Sequence, residues 1–413
     1  MAYELPDFGV RRALLLQGPA GPFMLRFRND LNDAGIEATK VNFHAGDRHF
    51  FPGPNALSYT GDVPSFGAWV ERVMEERRID GVFLFGDCRP LHRAAIEVAE
   101  ERGARVYCFE EGYLRPDWIT VQEHGVNGHS RMPKDPAFYR ALDLPEPEPP
   151  IEVGPRFGIL AWYSTQNALS FTLLNQRFRA YRHHRQLNAW MHTAWWVRGA
   201  VRKKRFERAE RGMLERFQGP LSGRYFFVPL QVHIDYQLAH SPYDEVLDFV
   251  EDVLVAFREH APPDTHILFK HHPMDRAYRE YGHWFPERAK KHGLSDRVHY
   301  CHDVHLPTLL KHARGTITIN STVGLQSIFH GTPVKVLGDA VYDMPGLTAP
   351  EDLETFMRTQ TPPDRALYEQ FRRYLLRENQ ANGSFYRPLV PTERGTGVRW
   401  FPAPQRQPSR DEE

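Results

Sequence analysis

Residues 316–337 read TITINSTVGLQSIFHGTPVKVL, and this stretch decides the fold class. Residues 316–319 alternate Thr with Ile, a β-branched run suited to a buried strand, and end at a polar turn, Asn320-Ser321-Thr322. Residues 323–330 read as a short helix, Gly331 closes it, and residues 334–337 read as the next strand. Strand, turn, helix, turn, strand is the unit from which parallel sheets are built. Ser or Thr just before a helix caps its free N–H groups, and those groups together with the helix dipole attract a phosphate. Alone, such a turn is plain capping, so a site here requires a second signal elsewhere in the chain.

The totals set the bounds. A chain of 413 residues has room for two domains with sizeable cores. Lys plus Arg numbers 52, equal to Asp plus Glu, so no field of the whole protein draws it to nucleic acid. Cys88, Cys108 and Cys301 are scattered, without a CxxC pair, which argues for a reducing compartment and against a zinc site or disulfide frame. The opening MAYELPDFGVRRALLLQG carries acids before its first basic residues and an apolar core of only residues 13–16, unlike a signal peptide. No stretch approaches bilayer length, and the expected location is cytoplasmic.

Residues 12–17 read as an apolar strand running into Gly18-Pro19-Ala20-Gly21-Pro22. A helix follows over 23–34, amphipathic through Phe23, Phe27 and Leu31 and stopped by Gly35, and then a strand near 38–42. This is a Rossmann-like opening. It is no dinucleotide fingerprint: GPAGP lacks the GxGxxG spacing, and its prolines remove N–H donors that a pyrophosphate needs. Gly18 is therefore a candidate on the acceptor side, or a structural glycine. Further on, the strand 81–85 ends at Gly86-Asp87-Cys88-Arg89, and the strand 105–109 ends at Glu110-Glu111-Gly112-Tyr113-Leu114-Arg115-Pro116-Asp117-Trp118. Both charged turns follow strand ends, where open α/β sheets bind ligands, making Asp87, Arg89 and Arg115 candidate substrate contacts. The pair Glu110 and Glu111 is the candidate for catalysis. One carboxylate aimed inward can act as base or nucleophile while its neighbour is held back. Adjacent acids are more often a solvated turn; Gly112, Arg115 and Trp118 weigh against that here.

Proline crowds residues 133–155, an extended linker that marks a domain boundary. The expected division is residues 1–150, a helical basic segment 151–222, a second Rossmann-like domain 223–350, and a last helix with a disordered tail from Pro402 over 351–413. Within the second segment, residues 157–161 read as a short strand and 166–218 as largely helical. Twelve basic residues from Arg177 to Arg216, Arg185, Arg202, Lys203, Lys204 and Arg205 among them, face three Glu, with Trp190, Trp195 and Trp196 interleaved. Such a run suits an anionic membrane surface, or nucleic acid, or a solvated helical face with Trp in the core. After the strand 224–230, Gln231, His233, Asp235 and Gln237 alternate. A long helix over 243–259, capped by Ser241, is expected next. The strand 265–270 ends at His271-His272-Pro273, and this is the second signal: a His at a strand end can donate to a phosphate oxygen. No metal is expected. His271 and His272 are adjacent and not at i, i+4 spacing, and Asp275 is the only acid close by.

These motifs carry a resemblance. Glu110-Glu111-Gly112, His272-Pro273 and Ser321-Thr322 are similar to the acidic-pair-Gly, His-Pro and Ser-Ser/Thr motifs of bacterial CMP-sugar transferases. The longer strings FEEGYLRPDW, VPLQV and FKHHP resemble the capsule-polysaccharide β-Kdo transferases of the KpsS/LipB type. The resemblance runs from about residue 11 to 347. It implies an α/β protein of GT-B glycosyltransferase plan: two Rossmann-like domains facing a cleft, with a helical basic insertion. It also implies that Gln231, His271, His272, Asn320, Ser321 and Thr322 hold the CMP phosphate and that the acidic pair supplies the catalytic carboxylate. The implied partners are CMP-Kdo, a phosphatidylglycerol-type lipid, the inner face of the inner membrane and other capsule-biosynthesis proteins; no nucleic acid, metal or cofactor is called for. Retention of the β configuration with a carboxylate at hand suggests double displacement. Relatives often have Glu-Asp-Gly, so here a longer Glu111 side chain stands at the second position. The rival classes are another nucleotide-sugar or CDP-polyol transferase, and a non-catalytic assembly or export protein.

Overall fold

The structure is a computed structural model that describes residues 4–182, 189–390, 392 and 394–401. In chain order its strands are β1 (Arg12–Leu15), β2 (Glu37–Asn42), β3 (Ala56–Ser58), β4 (Gly81–Phe85), β5 (Arg105–Glu111) and β6 (Trp118–Glu123). They continue with β7 (Tyr225–Pro229), β8 (His266–Lys270), β9 (Val298–Cys301), β10 (Gly315–Thr318), β11 (Val334–Val336) and β12 (Gln380–Asn382). The chain divides into two α/β units. Unit 1 comprises Met1–Val126, Leu144–Ala189 and Arg372–Glu413, and unit 2 comprises Asn127–Asp143 and Trp190–Phe371.

Unit 1 holds a seven-stranded sheet in the order β12-β6-β5-β4-β1-β2-β3. β1 to β5 run parallel, while β6 returns antiparallel along β5 and β12 antiparallel along β6. Phe23, Phe27 and Leu31, spaced to share one face of the helix Phe23–Asp33, are all buried against this sheet. The Phe27 ring meets Phe109 at 5.0 Å and Phe83 at 5.2 Å, both edge-on. Gly35 ends the helix as expected: its φ of +80° is one that glycine adopts freely, and Ile36 N–H reaches back to Leu31 O at 2.8 Å.

Unit 2 holds a five-stranded, all-parallel sheet in the order β11-β10-β7-β8-β9. Its strands are apolar on both faces, as a sheet covered by helices requires. Phe226, Val228, Ile267, Phe269 and Ile317 pack against Phe249, Val250, Val253 and Phe257 of the helix Val246–His260. That helix begins three residues later than expected, because Ser241 spends its hydroxyl in a turn, bonding Leu238 O and Tyr243 N–H. Two Rossmann-like units, each around its own sheet, are the α/β plan that the sequence indicates.

One element differs in kind. Residues 157–161 are not a strand but the start of a helix, Phe157–Leu174. A five-residue apolar run has no decisive period, and the uncharged continuation through Ala168, Leu169, Leu173 and Leu174 carries the helix. Cys88, Cys108 and Cys301 are free thiols. No helix among the described residues is long and apolar enough to cross a membrane. Arg185 and the tail from Pro402 lie outside the described residues.

Candidate functional site

In unit 2 the functional candidates gather where the parallel strands end. β7 lies between β8 and β10, so the loops after these strands share one edge of the sheet, the edge at which open α/β sheets hold ligands. The three loops are laced side to side. Gln231, after β7, donates from Nε2 to Asn320 Oδ1 at 3.0 Å, and Asn320 donates from Nδ2 to Gln237 O at 2.8 Å. On the other side, Asp275 accepts the His233 backbone N–H at 3.0 Å and the His233 Nδ1 proton at 2.5 Å. Gln231 and Asn320 are both buried, so they set the spacing of the loops.

The Ser321 hydroxyl accepts from Val323 N–H at 3.2 Å and caps the helix Thr322–Phe329, whose first residue is Thr322. Gly324 is required in the helix's first turn, because a Cβ there would meet the Tyr342 hydroxyl at 2.2 Å. That same hydroxyl donates to Ser321 O, which fixes the turn. The helix start is thus rigid, with its N–H groups directed toward the sheet edge.

His271 and His272 behave differently. His271 is buried; its Nδ1 pairs with the Tyr300 hydroxyl at 2.7 Å, and burial pushes the imidazole down to about 3. That ring is a neutral core group, which separates it from the phosphate-binding expectation. His272 is half-buried, and its Nδ1 accepts the Met274 backbone N–H at 3.2 Å. Accepting at Nδ1 leaves the neutral ring's proton on Nε2, so His272 is set up as a donor. His233, in sequence only one member of an alternating run, joins this group through Asp275. The two are 42 residues apart, and nothing local in the sequence links them.

In unit 1 the acidic pair is not in a turn but inside the β5–β6 ladder, with Glu110 opposite Thr120 and Glu111 opposite Ile119. Consecutive strand residues face opposite sides of a sheet, so the two carboxylates are separated by the pleat itself. Glu111 pairs with Arg115 at 3.0 Å. Glu110 accepts the Glu111 N–H at Oε1, at 3.0 Å, and its Oε2 lies beside the turn after β4. Gly86 in that turn has φ +72°, and a Cβ there would stand 3.7 Å from Glu110 Oε2 and 3.8 Å from Arg89 Nε. Arg89 donates to Gln17 Oε1 at 2.9 Å. Glu110, Gly86, Arg89 and Gln17 therefore form one group at the ends of β5, β4 and β1. Asp87 is buried and takes the Val126 N–H at 3.0 Å, while Gly18 leaves room for Met24, whose Cγ would lie 2.5 Å from a Cβ at that position.

The basic helix Ala189–Ala209 is anchored to unit 2 along one face, at i, i+4, i+7 and i+11. The Trp195 ring packs on Tyr278 at 4.8 Å, Gly199 lies over Ala277, Arg202 donates to Arg276 O at 2.8 Å, and Phe206 stacks on His302 at 3.4 Å. Trp195 and Arg202 thus serve the fold. Arg198, Lys203, Lys204, Arg205 and Arg208 remain exposed, together with Trp190, Val197 and Val201. In unit 1 the helix Phe157–Leu174 exposes Phe157, Trp162, Leu169, Leu173 and Leu174.

Comparison with known proteins gives a family match over residues 80–386, to the family described as "Capsule polysaccharide biosynthesis protein". The chain is 39% identical over 383 residues to the Escherichia coli capsule polysaccharide export protein KpsS, covering 91% of this chain and 97% of that one. It is 37% identical over 381 residues to the capsule polysaccharide modification protein LipB of Neisseria meningitidis serogroup B, covering 90% of this chain and 91% of that one. Among solved structures, the β-Kdo 2,7 transferase KpsC of Thermosulfurimonas dismutans aligns at 19% identity with a TM-score of 0.39, over 81% of this chain and 87% of that one.

Proposed function

This chain belongs to the capsule polysaccharide biosynthesis family, and from that premise we propose that it is a glycosyltransferase that moves β-Kdo from CMP-Kdo to a phosphatidylglycerol-type lipid. The observation that carries the proposal is the edge of unit 2. Gln231, His272 and the Asn320–Thr322 turn stand on three adjacent strand ends, held in register by side-chain hydrogen bonds. Donors so arranged suit an anionic phosphate: the Nε2–H of His272 and the first N–H groups of the helix Thr322–Phe329. The same groups neutralise the departing CMP, so no metal ion is invoked.

In unit 1, Glu110 is the nucleophile and Glu111 is held on Arg115. The Glu110 carboxylate forms a bond to the anomeric carbon as the bond to the CMP phosphate breaks, and CMP leaves with the electron pair. The acceptor oxygen then bonds to the anomeric carbon as the bond to Glu110 breaks, Glu110 leaves as the carboxylate, the hydroxyl proton passes to solvent, and two inversions retain the configuration. His272→Ala should weaken CMP binding by about 1.5–3 kcal/mol, the worth of a charge-assisted hydrogen bond. Titration calorimetry on the two proteins tests this. Equal affinity would remove His272 from the site, and absence of CMP binding to the unaltered protein would favour an assembly or export role.

A lipid acceptor stays in its bilayer, so the enzyme acts peripherally at the inner face of the inner membrane. Each exposed Lys or Arg near an anionic leaflet contributes about 1 kcal/mol, screened within roughly 8 Å at physiological salt. The protein should sediment with anionic vesicles at low salt and be released at high salt. Replacing Arg198, Lys203, Lys204 and Arg205 with Gln should lower both that binding and activity on vesicle-embedded lipid, sparing a short soluble acceptor. Equal loss on both acceptors would assign these residues to the fold.

A further inference from the structure

We infer that His233, held by the buried carboxylate of Asp275, is a second phosphate donor of the nucleotide site, with Asp275 its positioning residue. The inference rests on the CMP-binding reading of unit 2 and adds a residue that none of the His-Pro, Ser-Thr or acidic motifs contains.

Three observations carry it. His233 is in the loop after β7, the central strand of the sheet, between the loop with His272 and the loop with Ser321. The residue is fixed at two points, one on its backbone and one on its ring: Asp275 takes both the backbone N–H and the Nδ1 proton, and Asp275 is itself 1% exposed. The geometry also leaves one nitrogen unspent. A carboxylate only accepts, so Nδ1 keeps its proton and the ring's remaining function is at Nε2. Nε2 has no hydrogen-bond partner among the described residues, and the side chain is 20% exposed, with the Tyr278 ring 6.2 Å away as its flat neighbour.

Asp275 also explains the turn that carries His272. It closes the His272-Pro273-Met274-Asp275 turn, its N–H reaching His272 O at 2.9 Å, and so ties the His-Pro turn to the β7 loop. One residue therefore serves both histidines: its carboxylate holds the His233 ring, and its backbone N–H closes the turn that carries His272. His272 presents Nε2 because its Nδ1 is capped by a backbone N–H, and His233 presents Nε2 because its Nδ1–H is held by Asp275. With Nδ1–H spent on Asp275, Nε2 donates to a phosphate when it too carries a proton, and a ring so charged between two anions is the stronger kind of donor.

The test uses CMP and cytidine as probes of the full chain, by titration calorimetry. His233→Asn places an amide nitrogen where Nδ1 stood, so it keeps the Asp275 hydrogen bond and deletes only the Nε2 side. It is expected to fold and to lose about 10- to 100-fold in CMP affinity, with cytidine affinity unchanged. His233→Gln, whose amide reaches the Nε2 position, should recover part of the loss. Asp275→Asn should weaken CMP, and the double variant with His233→Asn should be no weaker than His233→Asn alone, because Asp275 acts through the ring. If CMP binds the unaltered protein and His272→Ala weakens it while His233→Asn does not, this inference falls and the nucleotide site stands. If CMP does not bind the unaltered protein, both fall. Parallel losses of CMP and cytidine in His233→Asn would make His233 a scaffold residue and overturn the assignment.

Discussion

Glu110→Gln is expected to abolish sugar transfer, with kcat reduced by about 10^3-fold or more and CMP affinity nearly unchanged. The substitution keeps the side chain's shape and its acceptance of the Glu111 N–H through an oxygen, and removes only the charge that attacks carbon. Because the lost interaction belongs to the transition state, the defect should appear in kcat and not in nucleotide binding. Glu111→Gln breaks the pair with Arg115, whose side chains are each about a third exposed, and should cost no more than about 1 kcal/mol of stability while leaving substantial activity. Single-turnover rates and CMP titrations on both variants decide the matter. Substantial activity in both would remove the carboxylate mechanism, and the reverse pattern would make Glu111 the nucleophile.

The second large effect is expected at Gly112. A Cβ there would lie 2.4 Å from Trp118 O and 2.8 Å from Leu114 O. Both are backbone atoms that no rotamer change can move aside, so the loop from Gly112 to Trp118 must shift. Gly112→Ala should therefore destabilise unit 1 by about 1–3 kcal/mol, the usual cost of overpacking. It should also lower activity by disturbing the hydrogen bond from Gly112 N–H to Trp118 O at 3.1 Å that ends the ladder bearing Glu110. Gly67→Ala is the control. It lies in the helix Phe66–Arg77 with nothing within 4 Å of an added Cβ, and should stabilise by about 0.5–1 kcal/mol. Urea unfolding of the three proteins compares them. A Gly112→Ala protein as stable and active as the parent would show that the loop tolerates a side chain.

What could be seen in the sequence was local. The Thr-Ile alternation of residues 316–319, the Phe23–Phe27–Leu31 stripe and the His-Pro turn each follow from neighbours a few positions apart, and each stands where its pattern indicates. What depended on distant partners was hidden. The separation of Glu110 from Glu111 comes from β6 returning to pair with β5, which turns an expected loop into pleated strand. Buried His271 reads as equivalent to His272 until Tyr300, 29 residues away in sequence, takes its Nδ1. Arg202 looked like one more cation in a basic run until the carbonyl of Arg276 claimed it. The start of the helix Phe157–Leu174 reads as a strand because a short apolar run has no period long enough to separate the two.

The central claim is transfer of Kdo from CMP-Kdo to a lipid. Its most direct measurement is mass spectrometry of the lipid fraction after the purified protein is incubated with CMP-Kdo and phosphatidylglycerol. The account predicts a product heavier than the acceptor by one or more Kdo residues, formed with release of CMP and absent with Glu110→Gln. Unchanged phosphatidylglycerol and intact CMP-Kdo, from a protein that nonetheless binds CMP, would contradict it.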